Sequence, residues 1–396
     1  PQNFLKKFPK NLKFSTRKSI RRQTHKNYFM KVALIHDHLA QDGGAERVLK
    51  VLAEIFPDAP IYTLLCDQKN IDKYYSHRHI ETSIIQKLPG GVSHYQWYMP
   101  FMPMAVEFFD LSKYDLVLSD TSSFAKGVIT STHTLHICYC HTPTRYLWSD
   151  THQYINELKY NKYFKKIISL VLSYIRMWDK LAADRVDKFI ANSKFIAKRI
   201  QKYYHQPSTV IYPPVETEKF SISSDVSDYF LIGGRLAPYK RVDIVVETFK
   251  KIDKKLKIFG NGVDLERLKK IANKHENIEF LGQVSDEIKA DLYSHCLAFI
   301  NPQEEDFGIT VVEAMASGRP VIAYQSGGAL ETVKAGITGE FFSQQTVESL
   351  SKILVDFDSS KFDPKVIKQH AEQFSIEIFK KKINDFIDGE YEKFKI

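Results

Sequence analysis

The chain reads as an α/β protein built from two parallel-sheet domains in tandem, and three observations lead there. Short apolar runs of the kind buried on both faces alternate with amphipathic helical stretches from Met30 to the C-terminus. Four of these runs end in glycine turns, at Asp42-Gly43-Gly44, Gly233-Gly234, Gly260-Asn261-Gly262 and Gly327-Gly328. A rigid crossover at Pro213-Pro214 lies near the middle, which puts the domain boundary between Gln206 and Ser221. With 396 residues, 43% of them hydrophobic, the chain is long and apolar enough for two cores.

Residues 1–29 carry nine Lys/Arg and no acid, so the whole formal net charge of +9 resides there and the body is neutral. A neutral body argues against nucleic acid as a partner. The segment reads as a basic, flexible extension; the alternative is a cationic arm on anionic lipid, with Phe4, Leu5, Phe8 and Phe14 interleaved. No run of about 18 uncharged apolar residues is present, so no transmembrane helix is expected. The start has no continuous apolar stretch of the secretory kind. Four cysteines are too few for a disulfide framework, and Cys138-x-Cys140 has no second pair to complete a zinc site. Buried thiols in a reducing cytosol are the expectation.

Lys31–His36 is a buried-type strand, followed by the Gly43-Gly44 turn and a helix from Val48 to Phe56; strand, glycine turn and helix make a phosphate-loop geometry. Residues 59–65, 116–120 and 127–130 read as further strands. Val92–Phe109 is rich in aromatics and Met and contains two prolines. It reads either as an irregular packed segment or as a surface facing the acceptor or a membrane. At 136–148 a strand ends at His141, and Pro143 forbids simple continuation. A polar cluster, His141-Thr-Pro-Thr-Arg145-Tyr-Leu-Trp148, therefore sits at a C-terminal strand edge, where open α/β sheets bind ligands. Tyr163–Asp184 is a long helix, and Lys188–Lys194 reads as the last strand of the first domain, with a helix-cap signal at Asn192-Ser193.

The second domain opens with a strand from Tyr229 that ends at Gly233-Gly234, then Arg235 and Lys240 lead into a helix. A planar guanidinium and a point-charge ammonium suit diphosphate oxygens. Ile278–Gly282 and Val284 precede a helix from Ser285. Between strands at 297–300 and 321–324 runs Pro302-Gln-Glu-Glu305-Asp-Phe307-Gly308-Ile309-Thr-Val-Val-Glu313-Ala-Met-Ala-Ser-Gly318-Arg-Pro320. It predicts a loop and a short helix, Ile309 to Ser317, closed by a left-handed cap at Gly318. Glu305 and Glu313 then flank a helix N-terminus that favours anions. Residues beyond Phe374 form an amphipathic helix.

Glu305-x7-Glu313, with the internal Phe307-Gly308 and the trailing Glu-Ala-Met-Ala-x-Gly-x-Pro, closely resembles the signature of family-4 (group 1) retaining glycosyltransferases. The resemblance runs from Met30 to the C-terminus. It implies the GT-B architecture: two Rossmann-like domains with parallel sheets facing across a cleft, and a C-terminal helix returning to the first domain. The expected division is a basic extension over 1–29, an acceptor-side domain over 30–208, a nucleotide-sugar domain over 209–374, and the crossing helix over 375–396.

By the same resemblance Arg235 and Lys240 clamp the donor phosphates, helped by backbone N–H groups at Phe307, Gly308 and Ile309. Gly43 and Gly44 approach the diphosphate, Gly282 and Val284 lie near the base, and Glu313 accepts from the ribose. Glu305 and His141 hold the transferred sugar, and Arg145 is a further contact to acceptor or phosphate. Transfer proceeds with retention, the departing phosphate deprotonating the acceptor, so Glu305 and Glu313 are not the acid and nucleophile of a hydrolase. The resemblance implies no cofactor and no metal, because two phosphate cations take the place of Mg²⁺.

The His141–Trp148 run resembles mannosyltransferases of surface polysaccharide, lipopolysaccharide and O-antigen assembly. This implies GDP-mannose as donor, a lipid-linked saccharide as acceptor, and a cytoplasmic enzyme at the inner face of the cytoplasmic membrane, in peripheral contact with anionic lipid. The alternatives are a UDP-sugar donor and, from other classes, a sugar-nucleotide epimerase or a non-catalytic carbohydrate-binding protein.

Overall fold

The computed structural model describes residues 30–41, 43–158 and 160–395. The expectations for residues 1–29 and for Asp42 lie outside them.

Strands β1 (Val32–His36), β2 (Ile61–Thr63), β3 (Ile80–Thr82), β4 (Leu116–Thr121), β5 (Leu135–Cys140), β6 (Lys188–Ala191) and β7 (Ser208–Val210) form one sheet, in the order β3-β2-β1-β4-β5-β6-β7. Strands β8 (Tyr229–Gly233), β9 (Lys255–Phe259), β10 (Ile278–Gly282), β11 (Phe299–Asn301), β12 (Val321–Tyr324) and β13 (Gly339–Phe342) form a second, in the order β10-β9-β8-β11-β12-β13. Every pairing in both is parallel. Parallel strands need crossovers that cover both faces with helices, so the central strands are apolar throughout; β1, β4 and β5 are buried at every position. In each sheet the order reverses beside the first strand, between β1 and β4 and between β8 and β11. Such a switch point opens a crevice at the carboxyl ends of the strands. These are two Rossmann-like domains of the GT-B type.

The helix Gly44–Ile55 starts earlier than its apolar pattern suggests, because Gly43 serves as its N-cap and Glu46 reaches back to the Gly43 N–H at 2.9 Å. The C-terminal helix, Ile376–Phe394, returns to the first domain. Phe379 packs edge-on against Tyr139 of β5, and Lys380 and Glu390 pair with Glu54 and Lys188.

Three local readings change. Residues 127–130 are not a strand. Ala125–Gly127 form a 3₁₀ turn, Gly127 lies so close to the Trp178 ring that a Cβ would meet it at 2.3 Å, and its carbonyl accepts from Arg185 at 2.9 Å. Packing against the long helix, not the β-branched content of the run, decides this conformation. The first sheet does not end at β6, because β7 adds to its edge along Phe189–Ala191. Val92–Phe109 is helical rather than irregular, a 3₁₀ stretch Tyr95–Phe101 running into an α-helix Met102–Glu107, with Pro103 in the first turn where its missing N–H costs nothing. Among the described residues no helix is long and apolar enough to cross a membrane.

Candidate active site

The second sheet's edge brings together residues that the sequence placed there. Strand β8 ends at Gly233, and the following loop carries Arg235 and, on the turn Pro238–Lys240, Lys240. Strand β11 ends at Asn301 and its loop carries Glu305. The Lys240 Nζ pairs directly with Glu305 Oε1, and Gln303 donates to the same oxygen at 2.6 Å. Burial would raise the Glu305 pKa, but Lys240 and these hydrogen bonds bring it below the ordinary value, so Glu305 is an ionised acceptor. Arg235 is exposed and donates to Tyr239 Oη at 2.8 Å; it lies on the same loop but does not touch Glu305.

The helix Ile309–Ala316 starts at Gly308, whose φ of 97° lies in the left-handed region that favours glycine. Its first turn presents N–H groups that no intrahelical carbonyl can use. Phe307 contributes only backbone here, since its ring is buried between Tyr212 and Phe374. Gly328 N–H donates to the Glu305 carbonyl at 2.7 Å, so the Gly327-Gly328 turn backs the loop from behind. From the first domain, Gly44 approaches this turn: a Cβ there would stand 3.1 Å from Ile309 Cδ1. The glycine loop and the helix N-terminus therefore meet across the cleft, as neither could if Gly44 carried a bulky side chain.

Glu313, 3% exposed, accepts from Arg47 Nη1 at 2.7 Å, Lys289 Nζ at 3.3 Å and Tyr293 Oη at 3.2 Å. A pocket lined by Arg47, Lys50, Pro214, Lys219, Lys289 and Glu313 lies beside it. Gly282 sits at a bulge of β10 with φ of 68°, its carbonyl accepting from Gly260, and Val284 is half-buried against the second core. Neither belongs to the Lys240–Glu305 cluster.

The first sheet's edge is a hydrogen-bonded chain of titratable groups. Register puts His36 of β1 beside Asp120 of β4. Both partners of His36 Nδ1 are oxygens of Asp120, the carbonyl at 3.1 Å and Oδ2 at 2.9 Å, so Nδ1 donates. The other ring nitrogen faces Glu46 Oε1 at 3.8 Å. The second Asp120 oxygen lies 2.6 Å from His141 Nε2. Burial would raise Asp120, yet His141 and His36 bring it below the usual carboxylate value; being ionised it only accepts. His141 therefore donates from Nε2, and its neutral ring keeps Nδ1 as an acceptor. Burial would lower His36, but Asp120 and Glu46 outweigh it and lift the imidazole to about 10. The chain thus runs from the Gly43 N–H through Glu46, His36 and Asp120 to His141.

Arg145 pairs with Asp150 at 2.7 Å and lies 4.0 Å from Asp306, which Arg199 also approaches at 3.1 Å. Glu331 accepts from the Lys194 and Phe195 N–H groups at 2.8 Å, joining the second domain to a helix N-terminus of the first. Sequence reasoning missed Arg47, Lys289, Gln303, Asp120, His36 and Glu331. One signal was available: Glu46 stands three residues after Gly43, the spacing of a capping box.

Known proteins resemble both halves. Residues 42–219 match the family described as Glycosyltransferase Family 4, and residues 214–389 match Glycosyl transferases group 1. The alpha-1,3/1,6-mannosyltransferase ALG2 of Dictyostelium discoideum is 24% identical over 90% of this chain and 98% of its own. An uncharacterized glycosyltransferase of Methanocaldococcus jannaschii is 29% identical over 50% of this chain; the match spans 58% of that relative. The GDP-mannose-dependent alpha-mannosyltransferase of Mycolicibacterium smegmatis is 38% identical over 27% of this chain and 28% of its own. Among solved structures, Anabaena HepE in complex with UDP superposes with a TM-score of 0.66 at 17% identity, over 91% of this chain and all of that one.

Proposed function

Because the chain belongs to the group 1 (family 4) glycosyltransferases, whose GT-B fold it shares, we propose that it transfers mannose from GDP-mannose to a lipid-linked saccharide in surface polysaccharide synthesis. Transfer proceeds with retention and without a metal ion, at the inner face of the cytoplasmic membrane. One observation carries the reading above others: Lys240 and Glu305 are in contact beside the N-terminus of the helix Ile309–Ala316. That arrangement is a prepared site for an anionic leaving group with an ionised acceptor next to it.

In this reading Lys240, Arg235 and the N–H groups of Phe307 to Ile309 meet the diphosphate, whose charge grows as the anomeric bond breaks. Glu305 accepts from hydroxyls of the sugar, and His141 accepts from another through Nδ1. Glu313 exchanges one of its present donors for the ribose hydroxyls. The departing phosphate oxygen takes the proton of the acceptor hydroxyl on the same face, so no carboxylate need act as base. The choice of mannose rests on the His141–Trp148 run and on relatives named as mannosyltransferases.

Thermal shift of the purified chain tests it. Ligands that bind only the folded state raise its stability by mass action, about 2.7 kcal/mol at 100 times Kd. GDP-mannose and GDP should raise the melting temperature, and UDP, UDP-glucose and UDP-N-acetylglucosamine should not. A shift with the UDP compounds alone overturns the donor, and no shift with any of them overturns the enzyme reading. Transfer that persists in excess EDTA supports the metal-independent reading, and its loss overturns it.

A further inference from the structure

Two rows of apolar side chains stand in solvent on the first domain. Along the helix Lys162–Asp184 they are Tyr163, Ile167, Leu170, Tyr174, Met177 and Leu181, at alternating spacings of four and three. That spacing keeps all six on one face of a helix, over about 27 Å. Leu170 is 72% exposed, so this face is not the one that meets the core. Leu172, Ile175 and Trp178 of the same helix do that. Along Tyr95–Glu107 and its cap a second row repeats the spacing: Trp97, Phe101, Met104 and Phe108, with Trp97 66% exposed. Met102, Ala105 and Val106 pack into the same core as Leu172 and Ile175. Glu107 ties the two elements, accepting from Trp178 Nε1 at 2.8 Å and Arg185 Nη2 at 2.7 Å. Both elements therefore cover one face of the first sheet, and their outer rows form one surface.

We propose that this surface docks on an anionic lipid bilayer. The inference rests on the reading of a lipid-linked acceptor and names the partner that goes with it. Charge selects the occupant. Lys162, Lys165 and Lys166 flank the row at the start of the long helix, and Lys180 flanks it near the end. Of the acids on that helix, Asp179 is buried against Lys126 and Asp184 pairs with Lys180. A second copy packed row against row would bring these lysines together in either orientation. A bilayer with anionic headgroups takes the aromatics into its interface and the lysines onto its surface.

The helix also reaches the cleft. Asp179 accepts from Thr144 at 3.1 Å and Trp148 at 2.7 Å, and Arg176 donates to the Leu147 carbonyl. The element that would lie on lipid is thus the one that holds the loop after His141, where a lipid-linked acceptor would arrive.

Co-sedimentation of the whole chain with sucrose-loaded vesicles tests it, with no donor present. Wild type should pellet with vesicles of phosphatidylcholine and phosphatidylglycerol, and weakly with phosphatidylcholine alone. Leu170→Ser with Met177→Ser should cut binding at least tenfold, and Lys162→Gln with Lys165→Gln and Lys166→Gln should abolish the preference for anionic vesicles. These side chains are exposed, so the melting temperature should not change. Residues 1–29 are intact in all variants, so a loss belongs to the rows. Three results would each sink the proposal: wild type left in the supernatant, the serine variant pelleting like wild type, or light scattering that shows a wild-type dimer made monomeric by the serine pair. The nucleotide thermal shift is read without vesicles, so failure of docking and failure of the donor reading appear in different measurements.

Discussion

The two sheet edges share a topology and hold opposite kinds of chemistry. At the second, charge is fixed: Lys240, Arg235 and a helix N-terminus supply positive potential, and Glu305 stays ionised within it. At the first, charge is shared along a chain in which Asp120 sits between two imidazoles. The difference follows from strand-end position. Loops after β8 and β11 are long enough to bring side chains to a ligand, whereas His36 and Asp120 lie within the strands and are buried by their neighbours. An edge with fixed charge suits a leaving diphosphate, and an edge with oriented hydrogen bonds suits a neutral sugar.

The comparison breaks most sharply at Lys240 and Glu305. Lys240→Ala and Glu305→Ala should each lower kcat/KM by on the order of 10²- to 10³-fold or more, with far-UV circular dichroism unchanged. Each leaves a partly exposed partner that water can solvate, so the fold should survive. Activity within a few-fold of wild type in either variant would mean that the fixed-charge edge is not where the diphosphate leaves.

That edge was legible in the sequence because its parts are near neighbours in it. Glu305, Phe307-Gly308 and Glu313 fall in one run, and Arg235 and Lys240 in another. The alternation of apolar runs and glycine turns gave both parallel sheets and the returning helix. The first edge was legible only at His141, since its partners Asp120 and His36 lie 21 and 84 further positions away and meet by strand register. The Arg47–Glu313 pair, 266 residues apart, joins the two domains and leaves no local trace. The run at 127–130 misled because its conformation is set by the Trp178 ring, a contact that no local pattern records.

A smaller effect sharpens the other side. Asp120→Asn keeps the shape but replaces an acceptor-only carboxylate with an amide that also donates. His141 then loses the partner that fixes its tautomer, and transfer should fall on the order of 10- to 100-fold, as for other misplacements near 1 Å. The pH–rate profile should also move, since the charge that holds protonated His36 is gone. A wild-type profile with wild-type rate would reduce Asp120 to packing.

The smallest effect separates burial from charge. His36 and His136 are both buried in the first sheet, yet one is lifted to about 10 and the other lowered to about 3. Burial pushes both down; Asp120 and Glu46 reverse it for His36, while His136 has a hydroxyl neighbour, Ser119 at 2.9 Å, and the positive charge of Arg185. The raised group stabilises the fold fully below its unfolded value of 6.5, and that contribution is lost as pH rises toward about 10. The lowered group behaves inversely: its contribution is whole above 6.5 and is lost as pH falls toward about 3. Urea unfolding across this range should therefore lose roughly 1–2 kcal/mol on each side. His36→Gln should flatten the alkaline limb alone and His136→Gln the acid limb alone. An alkaline limb that persists in His36→Gln would show that His36 is neutral, and that the first edge is held by geometry without the charge the carboxylates impose.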